Sequence, residues 1–407
     1  MSSAPTTKND LPFFPPPRDM SRPFDPPPLM LQWLETPGLT KVRTWDGTEA
    51  WVVTRFREAR KVLGDQRFSA DPTKPGFPEK SAGYKGSIGQ DQNIRTMDDP
   101  EHGQEKRFLA RDFAVTRLNE MRPAIQAKVD SLIGELIAKG PPAEFFEDFA
   151  LAIPTMVICE MLGVPYGDRE WFAERSYTCL SSEVDVSQSE AASKDLYDYI
   201  DGLIDLKERE PGNDLMTRLV VEALNPGLKT RKSIVELARL VLIAGHETTA
   251  NTIALSVAAL LHYPDQLALL KSDPSLTRNA VEELLRFLSV AHTGRRRAAT
   301  VDIEIGGTLI RAGEGVIIAN SAADRDDSEF ANSDMLDIRR SNAKLQMAFG
   351  YGNHQCLGQM LSRVELEIVH STLWHRIPTL ELAIPFEEVP FREDTSVYGV
   401  RALPIRW

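Results

Sequence analysis

Residues 240–261 read LVLIAGHETTANTIALSVAALL, an apolar run of helical length with apolar residues on every face. Two settings accept such a helix: the centre of a large core, or a bilayer. His246, Glu247, Thr248, Thr249, Asn251 and Thr252 interrupt the middle of the run, behind Gly245. That polar cluster would be costly in hydrocarbon. The run is therefore read as the core helix of a large domain, ended by Pro264. A buried glutamate needs a partner or a purpose. Glu247 is either satisfied by neighbouring side chains or marks a cavity where water enters and protons move.

A core helix of this kind needs a large envelope. The chain supplies 407 residues, 42% of them hydrophobic and 26% charged, an ordinary globular balance. Helical patterns cover 104–139, 145–162, 190–209, 233–262, 276–288 and 357–376. Two β patches break them. Residues 39–53 read as a hairpin around Asp46-Gly47, with Val42 on one arm and Trp51-Val52-Val53 on the other. Residues 301–320 read as a second β region with glycine turns. The expected fold class is mainly α with a small β region, in a single large domain over 29–407. The prolines of residues 1–28 favour an extended N-terminal segment. Residues 71–95, rich in Gly, Pro and Lys, are either a solvated loop or a lid.

The net charge of −12 repels phosphate backbones, so nucleic acid is not the expected partner. A local basic patch for an acidic protein is compatible with that total. The cysteines are Cys159, Cys179 and Cys356, too few and too scattered for a disulfide framework. The N-terminus carries no apolar signal-peptide stretch. The chain is expected to be cytoplasmic and free of the membrane.

Two motifs carry more than composition. In AVEELLRFLSV (280–290), Glu283 and Arg286 are spaced i,i+3, opposite the stripe of Val281, Leu284, Leu285 and Leu288. Periodicity alone makes them a solvated pair contributing ~0.2–0.5 kcal/mol. In FGYGNHQCLGQ (349–359), a lone cysteine sits among glycines before an apolar helix. Zinc needs about four N/S ligands, and only His354 is near. A nucleophilic thiol needs a placed base. A dinucleotide fingerprint needs a third glycine. An inert core cysteine is the commonest fate. A haem thiolate fits better. Glycines let the backbone approach ring and sulfur, backbone N–H groups tune the ligand, and the helix from Leu357 adds its dipole.

The loop resembles the haem signature of the cytochrome P450 family, Phe-Gly-x-Gly-x-His-x-Cys-x-Gly, at Phe349, Gly350, Gly352, His354, Cys356 and Gly358. AGHETT (Ala244–Thr249) is similar to the family's oxygen-activating stretch, and Glu283-x-x-Arg286 to its structural ion pair, which replaces the solvated reading. The resemblance covers nearly the whole chain. It implies the cytochrome P450 fold around haem b, with Cys356 as axial thiolate and metal ligand. Glu247 and Thr248 would deliver protons. His102, Arg297 and His354 would hold the propionates. Lys106 stands where the family often has arginine, and a lysine there would act as a point charge. Ala244, Phe349, Gly350 and Gly358 would line the haem. The arginine that completes the Glu–Arg network is replaced by Met335, with Arg339 or Arg340 as substitutes. Leu240, Ile243, Val290, His292, Thr293 and Val397 would form the substrate wall, with His292 bonding a substrate oxygen or the backbone. Residues 71–95 and 176–190 would form a lid.

The implied activity is monooxygenation of a medium-to-large hydrophobic substrate, a secondary metabolite, steroid-like compound or xenobiotic. It would use O2 and electrons from a ferredoxin and an NAD(P)H-dependent ferredoxin reductase, because no fused electron-transfer domain is visible. The protein would be a monomer. Two other readings are a nitric oxide reductase-like member of the family and a non-catalytic haem-binding sensor. Glu247 before Thr248 favours oxygen activation over both.

Overall fold

The computed structural model describes residues 11–81, 93–180, 184–392 and 394–407. The apolar run lies inside a 32-residue helix, Arg231–His262. Thr230 caps it, its hydroxyl accepting from the Ser233 amide. This central helix packs against Ala152–Leu162, Val186–Arg209 and Gln359–Arg376, which explains why every face is apolar. Pro264 does more than end it. The proline opens a new helix, Pro264–Ser272, turned by 102° from the central one. Among the described residues no single helix is long and apolar enough to cross a membrane.

Several helical boundaries differ from the sequence pattern. The span 104–139 is two helices, Glu101–Ala110 and Val115–Lys139. At the break, Arg218 donates to the Phe108 carbonyl and to Asp112, a tertiary tie that local periodicity does not reveal. The span 145–162 opens with a π turn, Phe146–Ala150, ahead of Ala152–Leu162. Val186–Arg209 starts four residues before 190 because Asp185 and Gln188 form a capping box. Pro28–Glu35, Phe56–Gly64 and Arg169–Leu180 are helices that the pattern missed.

The hairpin is present as Thr40–Arg43 and Glu49–Val53, in register from Thr40 opposite Val52 to Arg43 opposite Glu49. It belongs to a larger sheet. Gly315–Ile318 runs parallel to Glu49–Val53 and pairs on its other side with Arg295–Ala299, which also pairs with Phe68–Ser69. The strand Arg295–Ala299 (RRRAA) carries little β signal and was not expected. Alternation puts Arg295 and Arg297 on one face and Arg296 on the other. The N-terminal segment follows the expected extended course only in part: Phe13 bridges Arg43 at the edge of this sheet, and turns at Asp19–Arg22 and Arg22–Asp25 then carry Phe24 into the main core. Phe14 is bonded to Arg43 through its amide, and Phe14 and Phe24 are buried. Part of the suggested lid, residues 82–92 and 181–183, lies outside the described residues.

Candidate active site

The cysteine loop is a backbone device. The Cys356 amide donates to the Phe349 carbonyl at 2.9 Å, the Gly350 amide to Met347 at 2.8 Å, and the Gln355 amide to Gly352 at 3.0 Å. Gly352 has φ +74°, and a Cβ there would lie 2.4 Å from the Leu63 carbonyl oxygen of the helix Phe56–Gly64. The loop delivers Cys356 to a spot where the amides of Gly358 and Gln359 bond its sulfur. Burial pushes the Cys356 thiol up. Arg295, the Gly358 amide, Arg363 and the Gln359 amide favour the thiolate. Arg363 lies 4.6 Å over the Phe349 ring and pairs with Glu282.

Next to the loop stands a cluster of buried basic groups. The rings of His102 and His354 are 4.1 Å apart. His354 is driven down to about 2 by burial and then by the charge of Arg297, with His102, Arg295 and Lys106 adding to it. His102 is lowered by burial, against the pull of Asp99 at 3.4 Å. Arg297 is lowered to about 10 by burial and then by Arg295. Its Nη1 donates to the Arg296 carbonyl, while its Nη2 and the Nε of Arg295 are buried without a hydrogen-bond partner. Asp98 is in range of Arg297 but is already bonded by the Ser69 hydroxyl and the Ala70 amide. Buried donors with no acceptor call for an anionic group. Two propionates beside a thiolate-ready cysteine meet that demand, so these residues fit haem b.

Arg295 was missed in the sequence. A Cβ on Gly350 would meet its Nε at 2.6 Å, so its guanidinium lies against the cysteine loop. Reading RRRAA with a period of two would have put it beside Arg297. Lys106 reaches the same neighbourhood differently. Its Nζ donates to the Asn353 carbonyl at 2.8 Å, so it fastens the loop from outside.

The central helix presents one open strip. Ala244 is exposed although residues 234–243 and 246–247 around it are nearly all buried, and Thr248, one turn on, is half-buried. The Thr248 hydroxyl donates to the Ala244 carbonyl at 2.9 Å. Leu240, Ala244 and Thr248 are four residues apart and share a face. Thr249 points elsewhere, 3.5 Å from the Ser362 hydroxyl on the helix that follows the cysteine loop. Glu247 is buried and has a partner the sequence did not suggest. Its Oε2 accepts from Arg392 Nη2 at 3.0 Å and from Asn251 Nδ2 at 3.3 Å.

The remaining wall residues meet where the segment after the Glu-x-x-Arg helix touches the C-terminal hairpin. Leu240 and Ile243 are buried on the central helix. The Val290 carbonyl accepts from the Tyr398 amide at 2.8 Å. His292 Nε2 donates to the Thr395 carbonyl at 2.7 Å, so the backbone alternative holds. Burial, with Arg18 next, lowers it to about 3 and keeps it neutral. The Thr293 carbonyl accepts from Arg296, and Val397 is buried.

The Glu283–Arg286 pair corrects the solvated reading outright, because both side chains are 0% exposed. Arg286 Nε and Nη2 grip Glu283 at 2.7 and 2.8 Å. Arg340 completes the network, Nε 3.1 Å from both carboxylate oxygens, while Met335 contributes its carbonyl and leaves its side chain exposed. Arg339 stays outside the network. The segment 324–347 covers the face that periodicity assigned to solvent.

Comparisons with known proteins agree with this geometry. The Cytochrome P450 family model matches residues 186–377. The chain is 45% identical to a vitamin D3 dihydroxylase of Streptomyces griseolus, over 98% of this chain and 97% of that protein. It is also 45% identical to a pentalenic acid synthase of Streptomyces avermitilis, over 96% of each. Among solved structures, the mycinamicin VIII C21 methyl hydroxylase of Micromonospora griseorubida bound to mycinamicin VIII superposes with a TM-score of 0.91. It is 38% identical, over 98% of this chain and 100% of that one. Identity of this degree over the full length settles the family: the chain belongs to the cytochrome P450 family, as a monooxygenase whose cofactor is haem b held by a cysteine thiolate.

Proposed function

We propose that this monooxygenase hydroxylates a medium-to-large hydrophobic secondary metabolite or xenobiotic, with Cys356 as the axial ligand. Electrons arrive from a separate ferredoxin and its NAD(P)H-dependent reductase. The observation that carries the reading is the opening at Ala244 and Thr248, one turn beyond buried Leu240 on the same face, backed by Glu247 and tied through Thr249 to the cysteine helix. The names of the relatives, which refer to vitamin D3, pentalenic acid and mycinamicin VIII, support the substrate class.

Haem b, when bound, supplies dioxygen activation and insertion of one oxygen atom into a C–H bond. The protein does the rest. His102, Arg295, Arg297 and His354 would hold the propionates. The amides of Gly358 and Gln359 disperse charge on the Cys356 sulfur. Leu240, Ile243, Val290 and Val397 exclude water and orient an apolar substrate. Thr248 offers a hydroxyl on the open strip, and Glu247 resupplies its proton from the protein side.

The test is the absorption spectrum of the reduced protein under carbon monoxide, beside Cys356→Ser. The wild type should show the far red-shifted Soret band of a thiolate-ligated haem, and the variant should lose it. Retention of that band in Cys356→Ser would remove the ligand assignment. Turnover with NAD(P)H and no partner proteins would remove the ferredoxin assignment.

A further inference from the structure

The N-terminal segment reaches further into the molecule than the edge of the sheet. Arg18 is 9% exposed, and its guanidinium carbon lies 3.7 Å from the centroid of the Tyr398 ring. A buried cation needs acceptors. Arg18 Nη1 donates to the Asp25 carbonyl at 2.6 Å and to the Pro23 carbonyl at 3.4 Å, so the segment's own turn holds the cation over the ring. The turn is itself fastened. Asp25 pairs with Arg325 at 3.1 Å, and Arg325 Nη2 donates to the Phe24 carbonyl at 3.0 Å. The Phe24 ring then meets that of Phe391 edge-on at 5.9 Å, and Phe391 lies parallel to Tyr398 at 6.4 Å. The segment thus grips the C-terminal hairpin, Phe391–Arg392 paired with Gly399–Val400, at two aromatic rings.

Tyr398 is 1% exposed and adjoins Val290, His292 and Val397. It follows Val397 in the chain, its amide donates to the Val290 carbonyl at 2.8 Å, and its ring lies 5.9 Å from that of His292. Neighbouring side chains of an extended chain point apart, so a Tyr398 turned toward Arg18 puts Val397 on the other side. His292 Nε2 donates to the Thr395 carbonyl at 2.7 Å, and the Thr395 hydroxyl donates to the Val397 carbonyl at 2.7 Å. These bonds make one stiff piece of Thr395–Tyr398, and Arg18 backs it on the side away from Val397. A stack at 3.7 Å is van der Waals contact and leaves no slack. We propose that Arg18 sets the depth of the substrate pocket: from the N-terminal segment it holds Tyr398 forward, and Val397 with it, and so limits how long a substrate the wall admits. Arg18 is a positioning residue that acts through Tyr398. The proposal rests on the reading of Val397 as substrate wall.

The probe is a series of 1-alkylimidazoles of increasing chain length, titrated spectrally into the holoenzyme. Without the guanidinium behind it, Tyr398 can settle back and Val397 retreats. Arg18→Ala should therefore bind the long members several-fold tighter than wild type and the short members equally. Arg18→Lys, which keeps a cation over the ring, should return toward wild type. Val397→Phe, which fills the pocket directly, should shift the preference to shorter members. No response to Val397→Phe would remove Val397 from the wall and the proposal with it. A response to Val397→Phe together with an equal change along the series in Arg18→Ala, or none, would overturn the role of Arg18 alone. Tyr398→Leu should reproduce the Arg18→Ala profile, and adding Arg18→Ala to it should change little, because residues that act as one unit are not additive. A second full shift in the double variant would show that Arg18 does not act through Tyr398. If Arg18→Ala loads no haem, Arg18→Met keeps the buried stem without the cation, and the same titration decides the matter.

Discussion

Arg286 places its entire guanidinium inside the protein: Nε and Nη2 on Glu283, Nη1 on the carbonyls of Asp324 and Ser333, and Nη2 again on Met335. With Arg340 it fastens the segment that leads into the cysteine loop. Glu283→Gln leaves two buried cations without their counter-ion, at a cost of about 3–5 kcal/mol. Thermal unfolding should show that loss, and the yield of haem-loaded protein should fall. Asp324, in the same segment, is pushed up to about 8 by burial, with one oxygen on the Met347 amide and the other unpartnered. A carboxyl with a raised folded-state value favours folding below its unfolded value of about 4, and that contribution disappears as pH climbs through about 8. Asp324→Asn keeps the acceptor for Met347 and removes the ionisation. Its advantage over wild type should grow from near nothing at about pH 3 to a few kcal/mol at pH 8, with about 6 kcal/mol as the ceiling. Denaturant titrations at several pH values check it, and a constant gap would refute it. Cys356 was legible because the glycines beside it in sequence also shape its loop. Arg392 was not, and Arg340 was one of two candidates that the sequence left open, since each finds Glu247 or Glu283 only through the folded chain.

At the scale of elements, the legible pieces are those whose pattern is local. The Asp46-Gly47 hairpin, the central helix and the helix after the cysteine loop follow from turn chemistry and apolar spacing. The strand Arg295–Ala299 was hidden because its neighbours Gly315–Ile318 and Phe68–Ser69 come from distant sequence, and because arginines mask the alternation. The same contrast separates the two sides of the haem site: the loop is written in its glycines, the cationic wall is not. Gly352 gives the loop its sharpest test. Alanine there combines a left-handed residue, costing ~1–2 kcal/mol, with a Cβ 2.4 Å from a backbone oxygen that has no rotamer to yield. Gly352→Ala should therefore separate the loop from the helix Phe56–Gly64. It should abolish the thiolate-type Soret band while far-ultraviolet circular dichroism stays near wild type. An unchanged carbon monoxide spectrum would show that the Leu63–Gly352 contact does not position the cysteine.

At the scale of the whole molecule, a net charge of −12 bears on the ferredoxin proposed above as electron donor, because it would repel an acidic partner. Long-range repulsion slows encounter, so a local basic surface has to overcome it. The outer side of the cysteine loop supplies one. Arg60 lies 4.1 Å over the Tyr351 ring, Lys106 is fastened to the Asn353 carbonyl, and Arg107 is exposed beside it. Tyr351 and Asn353 belong to the loop that carries Cys356, so these cations border that loop on its outer side. Arg60→Glu and Arg107→Glu together should raise the ferredoxin concentration needed for half-maximal reduction by several-fold at low salt. The difference from wild type should shrink as ionic strength passes ~0.1 M, where the screening length falls to about 10 Å. The carbon monoxide spectrum should not change, because neither side chain bonds the loop's backbone. A loss of reduction that ignores salt would place the electron donor on another face.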